Sequence, residues 1–158
     1  IMNLYYSLFY PHVCYGNIVW GKASMCYVDR LVKMQKRMIR LMYNRPYRSH
    51  THELFLDARI LNISQVNEYH ISLFMFKWYK GLLPEVFSSW FSLRVDNSAY
   101  NTRNINCMNV PFCRTEFGRK SLRYRGAILY NELTENMSLT MDMSFSSFKS
   151  QFKTICFG

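Results

Sequence analysis

Between Met25 and Tyr43 the chain carries no Gly or Pro, and its apolar residues return with the period of a helix. At about 100° per residue, Val28, Leu31, Val32, Gln35, Met38, Ile39 and Met42 share one face. Arg30, Lys33, Lys36, Arg37 and Arg40 fall within roughly 120° on the opposite face. This pattern predicts an amphipathic helix with Ser24 as its N-cap, closed by Asn44 and Pro46. The polar face is almost wholly cationic, with Asp29 as its only acid.

Other segments show weaker versions of the same period. Met2 to Trp20 is rich in Tyr, Phe and Leu and is interrupted by Pro11. It reads as two short helical pieces, or one helix kinked near Pro11, ended by Gly21. Thr51 is placed to cap a short helix reaching about Arg59, and Ser64 to cap another from Gln65 to Lys80, ended by Gly81. On the latter Val66, Tyr69, Ile71, Leu73, Phe74, Met75, Phe76 and Trp78 point nearly all round, the mark of a helix buried in a bundle. Pro84 opens a short helix reaching about Trp90. The stretch 94–106 is polar, rich in Asn and without apolar period, and is expected as a loop. "CMNVPFC" reads as a short extended piece, Pro111 arguing against a central strand. "SLRYR" alternates with period two, placing Leu122 and Tyr124 on one side and Ser121, Arg123 and Arg125 on the other. Gly126 is then expected to turn the chain into a helix from about Ala127 to Leu133. Ser144 caps a last helix with Phe145, Phe148, Phe152 and Ile155 in a narrow apolar stripe. The fold class that follows is mainly α: a helical bundle with a small C-terminal subregion containing a short strand or hairpin. Its expected divisions are a helical region over 1–93, a loop over 94–106 and a small basic subregion over 107–158.

Composition sharpens this picture. The chain has 158 residues, with 12 Tyr, 12 Phe and 3 Trp, and 20 Lys and Arg against 10 Asp and Glu. It is long enough for one domain with a core. A pI near 9.5 on a foldable chain favours polyanionic partners, nucleic acid first and an anionic membrane surface second. The first residue is Ile1 and no leader pattern is visible, so the chain reads as a segment of something longer. The apolar stretch "ISLFMFKWY" contains Lys77 and falls far short of the roughly 20 residues that span a bilayer. Cys14, Cys26, Cys107, Cys113 and Cys156 are odd in number and irregularly spaced, which favours free thiols in a reducing intracellular setting. The Asn62-Ile63-Ser64 and Asn136-Met137-Ser138 sequons are short enough to arise by chance.

Catalytic chemistry finds little support. Two-metal phosphoryl transfer needs clustered carboxylates around ions about 4 Å apart. Asp29, Asp57, Asp96 and Asp142 are scattered, and Glu53 and Asp57, one helical turn apart, read as a solvated face. His50, His52 and Glu53 in "HTHE" are the best candidates for a metal site. They lack the i, i+4 spacing of HExxH, and a helix start with Glu53 in its first turn explains them as well. Cys14 and Cys26 read as buried apolar residues. No Gly-rich phosphate loop and no GxSxG occurs, so no catalytic residue is assigned. The basic helix face is the more specific signal, because solvated faces usually mix signs. Arg123, Tyr124 and Arg125 combine guanidinium forks for phosphate with a ring for stacking, although an edge strand kept soluble by charge would look the same.

The order of several pieces adds a resemblance. "LYYSLFYPHVCYGNIVWG", "LVKMQKRMIRLMYN", "SHTHELF", "LLPEVF", "YNTRN" and "SLRYRGAILYNEL" together resemble the C-terminal, post-palm part of non-LTR (LINE-like) retrotransposon reverse transcriptases, over nearly the whole chain. Matching positions are Tyr15-Gly16, Trp20-Gly21, Gln35-Lys36-Arg37, Asn101-Thr102-Arg103 and Arg123-Tyr124-Arg125-Gly126. Ala127 and Thr134 stand where the family commonly has proline, and Tyr130 where it has tryptophan. The resemblance implies a thumb-like helical region over 1–93 and a small C-terminal subregion, gripping template and primer RNA and DNA beside a polymerase domain of the same polypeptide. The family's palm signature, an aromatic-x-Asp-Asp, is absent, so the segment is expected to be non-catalytic alone and to need no cofactor, Mg²⁺ belonging to the missing palm. No membrane partner is expected, and the location implied is nuclear and cytoplasmic. Arg103 joins Arg30, Lys33, Lys36, Arg37, Arg40, Arg123, Tyr124 and Arg125 as an expected nucleic-acid contact. Two other functions fit the same residues: a protein-interaction module packing on the missing polymerase domain, and a small metal-dependent nuclease using His50, His52 and Glu53.

Overall fold

Pro11 sets the shape of the N-terminal segment. Its ring removes an N–H and would strike the carbonyl four residues back, so a regular helix cannot run through it. In the computed structural model, which describes residues 2–97, 106–135 and 141–157, the helix widens ahead of the proline. Helix α1 (Met2–Leu4) passes into a π-turn over Tyr5–Phe9 and then into α2 (Tyr10–Cys14). The Tyr10 N–H donates to the carbonyl of Tyr5, five residues back. Helix α3 (Asn17–Trp20) follows, ending at Gly21. A Cβ on Gly21 would stand 2.6 Å from the Asn17 carbonyl oxygen and collide with the Asn67 amide, so only glycine fits there.

Helix α4 (Met25–Met42) has the expected bounds within a residue. Ser24 stands at its N-cap in an extended conformation, but its hydroxyl makes no capping bond. Val28, Gln35 and Ile39 are buried on the predicted inner face. After α4 comes α5 (His52–Asp57), which Thr51 precedes without a side-chain cap. Tyr5, Ile39, Leu54 and Ile60 form a buried cluster, with Phe9, Tyr10, Met38, Met42, Tyr43 and Phe55 packed on it.

Gln35 is the one polar member of α4's inner face, and it is 1% exposed. Its Nε2 donates to Tyr5 Oη and to the Leu61 carbonyl, both at 2.9 Å. Its Oε1 accepts from the Ile63 N–H at 3.1 Å. Ile63 opens α6 (Ile63–Tyr79), so one side chain holds the π-turn, the approach to α6 and that helix's first N–H. Ser64 does not cap this helix. Asn62 and Gln65 do, each side chain accepting from the other's backbone N–H at 3.0 Å. At the far end Gly81 has φ +66°, and the Gly81 and Leu82 N–H groups return to Trp78 and Lys77, a Schellman stop. The near all-round apolar character of α6 is matched by burial of Ile63, Val66, Tyr69, Ile71, Met75 and Phe76.

The chain divides into two units within α6, between His70 and Ile71. In the second, a 3₁₀ helix over Glu85–Trp90 and the residue after it carry rings that meet those of α6: Phe87 lies 5.4 Å from Phe74, and Phe91 lies 5.4 Å from Trp78. The segment expected as a loop from residue 94 begins instead with one helical turn, α7 (Arg94–Asn97). No strand forms among the described residues. The sole pairing there is an antiparallel bridge between Leu93 and Met108. The pairing stops where α7 begins at Arg94, and the Asn131 amide, donating to the Met108 carbonyl and accepting from the Met108 N–H, occupies the edge turned away from Leu93, so no third segment adds there. A short α8 (Glu116–Arg119), capped by Thr115, leads into α9 (Leu122–Glu135).

Helix α9 corrects the reading of "SLRYR". These residues are not a strand, and Gly126 is not a turn but an interior helical residue, fully enclosed. A Cβ there would stand 2.7 Å from Met75 Sδ and 3.2 Å from Phe91 Cε1. The glycine lets α9 approach that pair closely, which offsets its poor helix propensity. Finally α10 (Phe145–Phe157) starts from Ser144, whose Oγ accepts the Ser147 N–H at 3.2 Å. Its Phe148 and Phe152 are buried, Phe148 stacking 4.7 Å from Phe76, while Ile155 stays exposed.

Gln35→Met keeps the volume but strands the Leu61 carbonyl and the Ile63 N–H, so urea unfolding should show a loss of roughly 2–4 kcal/mol. Tyr5→Phe removes one hydroxyl and should lose less, about 1–2 kcal/mol. An equal loss in both would contradict the hub role of Gln35. Burial also pushes the Tyr5 hydroxyl up to about 12, the Gln35 hydrogen bond opposing it. A folded pKa above the unfolded value of about 10 means the contribution is whole below pH 10 and fades as pH rises through the folded value. Thermal unfolding of the parent should therefore weaken more steeply between pH 10 and 12 than that of Tyr5→Phe. Parallel curves would show that Tyr5 does not carry this dependence.

Candidate nucleic-acid interface

The outer face of α4 bears the expected cations, but they are not equivalent. Arg30, Lys33, Lys36 and Arg37 are exposed, and Arg40 is half-buried. Lys33 donates to Asp29 at 2.7 Å, one turn earlier, an acid-before-base order that suits a helix. That hydrogen bond raises the lysine's pKa above its ordinary value. Arg40 Nε donates to the Ser49 carbonyl at 2.9 Å. Arg30, Lys36 and Arg37 make no ion pair or hydrogen bond with a described side chain, so their charge faces water.

The segment after α4 is pinned to the helix. Asn44 adopts φ +48°, and the Arg45 N–H returns to the Arg40 carbonyl at 2.9 Å. Both the N–H and the hydroxyl of Ser49 donate to the Pro46 carbonyl, at 3.0 and 2.8 Å. Tyr47 projects from this turn, 75% exposed. The Arg40 guanidinium carbon stands 5.8 Å from the Tyr47 ring centre. Arg45 and Arg48, also exposed, bracket the ring in the chain. Sequence reasoning passed over these three residues because Pro46 and Asn44 mark them as a helix ending. The signal was present nonetheless in the alternation of cation and ring in "RPYR".

The second expected contact surface does not form as drawn. In α9 Arg123 and Arg125 are about 200° apart around the axis, so they cannot present paired forks on one side. Arg123 is exposed and its Nε donates to the Trp90 carbonyl at 3.0 Å, whereas Tyr124 and Arg125 are half-buried. Arg103, with the rest of Asn101-Thr102-Arg103, lies outside the described residues, as does the Asn136 sequon. Helix α4 and helix α9 belong to different units.

His50, His52 and Glu53 are exposed around the start of α5. Among the described residues no set of three or more His, Cys, Asp or Glu side chains is grouped to hold a metal ion. All five cysteines are free. Cys14 is half-buried and burial raises its pKa. Cys26, expected inside, is exposed. Cys107 is pushed up to about 11, by burial first and then by its 2.7 Å hydrogen bond to Glu135, which leaves it a poor nucleophile at neutral pH. Burial lowers the pKa of His70. No helix among the described residues is long and apolar enough to cross a membrane. No family model, no curated protein and no solved structure matches the chain.

The two kinds of cation on α4 should separate in stability measurements. Arg40→Ala removes a hydrogen bond and a cation–ring contact and should cost about 1–2 kcal/mol in urea unfolding. Lys36→Ala and Arg37→Ala should stay within about 0.5 kcal/mol of the parent. A comparable loss in all three variants would mean that Lys36 and Arg37 have structural partners.

Proposed function

We propose that the chain is a nucleic-acid-binding segment of an RNA-directed DNA polymerase of the non-LTR retrotransposon kind, holding template or primer without itself carrying the catalytic palm. The observation that carries the binding reading is the set Arg30, Lys36 and Arg37, exposed, of one sign and unengaged among the described side chains. An ordinary solvated helix face mixes signs. Here the one acid, Asp29, is occupied by Lys33. Arg30 and Arg37 stand about two turns apart on α4 with Lys36 beside Arg37, so the cations reach out along the helix towards more than one phosphate of a backbone. The reading places the protein with intracellular RNA and DNA. Its polymerase parentage rests on the resemblance alone.

A second reading, a module that docks on protein, is favoured by one feature. An apolar groove of about 440 Å³ runs between the N-terminal helical segment and α4, lined by Leu8, Phe9, His12, Val13, Leu31, Met34 and Met38. Leu8 and Met34 are more than half exposed. This reading predicts association that salt leaves unchanged.

The test reverses the free cations together. Arg30→Glu/Lys36→Glu/Arg37→Glu should keep its helicity by circular dichroism, because none of the three touches the core. Anisotropy with labelled oligonucleotides should show weaker binding for every sequence, since phosphates carry no sequence information. Each lost contact flattens the slope of log K against log salt by about 0.9 for duplex or about 0.7 for single strands, so the change should be roughly two to three units. Affinity and slope equal to the parent's would remove the support for nucleic-acid binding.

A further inference from the structure

We propose that Tyr47 is a stacking platform for one unpaired base, which makes this surface selective for single-stranded RNA or DNA over duplex. This rests on the nucleic-acid reading above and names its substrate class. The ring is 75% exposed, a large amphipathic face left open to a partner. The turn that bears it is held in place. Arg40 stands 5.8 Å from its centre and is itself fixed by the Ser49 carbonyl, and Ser49 in turn is bonded twice to Pro46. The turn that carries the ring is therefore anchored to α4, and a guanidinium stands over the ring. An aromatic face with most of its surface open is what a nucleobase stacks on, whatever the base.

The charges around it fit a strand rather than a lone base. The contact with Arg40 places the ring beside α4, whose exposed face is cationic. Arg45 and Arg48, exposed and with side chains that make no hydrogen bond or ion pair among the described residues, stand before and after Tyr47 in the chain. They can take the phosphates on either side of a stacked nucleotide. Bases inside a duplex are already stacked and cannot reach the ring, whereas duplex phosphates can still reach Arg30, Lys36 and Arg37. Single strands thus gain a contact that duplexes lack.

The experiment compares a fluorescein-labelled ten-nucleotide oligo(dT), an oligo(U) of equal length and a ten-base-pair duplex, by anisotropy with the full chain. Tyr47→Ala should lose about tenfold in affinity for both single strands and leave the duplex unchanged. Tyr47→Phe should keep the parent's values, and Tyr47→Leu, apolar but without a π face, should fall with Tyr47→Ala. Unchanged single-strand affinity in Tyr47→Ala, with the parent binding normally, overturns the stacking role and leaves the wider reading intact. An equal loss on single strand and duplex also overturns it, because the ring then serves only to support Arg40. A parent that binds none of the three probes overturns both readings.

Discussion

The Gln35 amide is the interaction on which the first unit depends. An amphipathic helix packed by apolar contacts alone can rotate about its axis by a fraction of a turn at little expense, because such contacts are non-directional. Three hydrogen bonds from one buried amide remove that freedom. They bind Tyr5, Leu61 and Ile63 at once, and each of those groups would be left unsatisfied in the core if α4 turned. The penalty for a wrong rotation is therefore several hydrogen bonds rather than a few methylene contacts. Fixing the inner face in this way fixes the direction of the outer one, which bears the cations.

That constraint also sorts the cations by role. Lys33 and Arg40 are engaged, one with Asp29 and the other with Ser49, and so shape the surface. Arg30, Lys36 and Arg37 are not, and so remain available to an external charge. Arg40 links the two roles. Its side chain ties the helix to the turn that follows and stands against Tyr47. The position of Tyr47 thus follows, through Arg40 and the helix, from the same buried amide.

Much of this was legible in the sequence where one strong period ran long enough to be read. Helix α4, the Gly81 stop of α6 and the Phe148 and Phe152 stripe of α10 stand where periodicity and turn chemistry put them. Misreadings arose where a short pattern had two physical meanings. Five residues of "SLRYR" satisfy period two and also fit one turn and a half of helix, and only the packing of α9 decides between them. Asn62 and Ser64 are both good caps, but Asn62 has Gln65 three residues on to answer it. Gln35 was readable as a polar residue on an apolar face. Its three partners were not, because each lies far off in the sequence.

Glycine shows most clearly why local reading fails. At Gly81 the reason for glycine is its own backbone, a left-handed φ that side chains resist, and such a reason is visible from the helix that ends there. At Gly126 the backbone is ordinary and the reason is Met75 and Phe91, which fill the space a Cβ would take. Nothing local announces them, so the residue looks like a turn. The expected placement of Arg123 and Arg125 on one side depended on the strand that this turn was to end, and in α9 the two point to different sides. Arginine availability is likewise not a property of charge alone: Arg37 and Arg40 are a turn apart on one helix, yet only one is free to bind, because a carbonyl at Ser49 happens to reach the other.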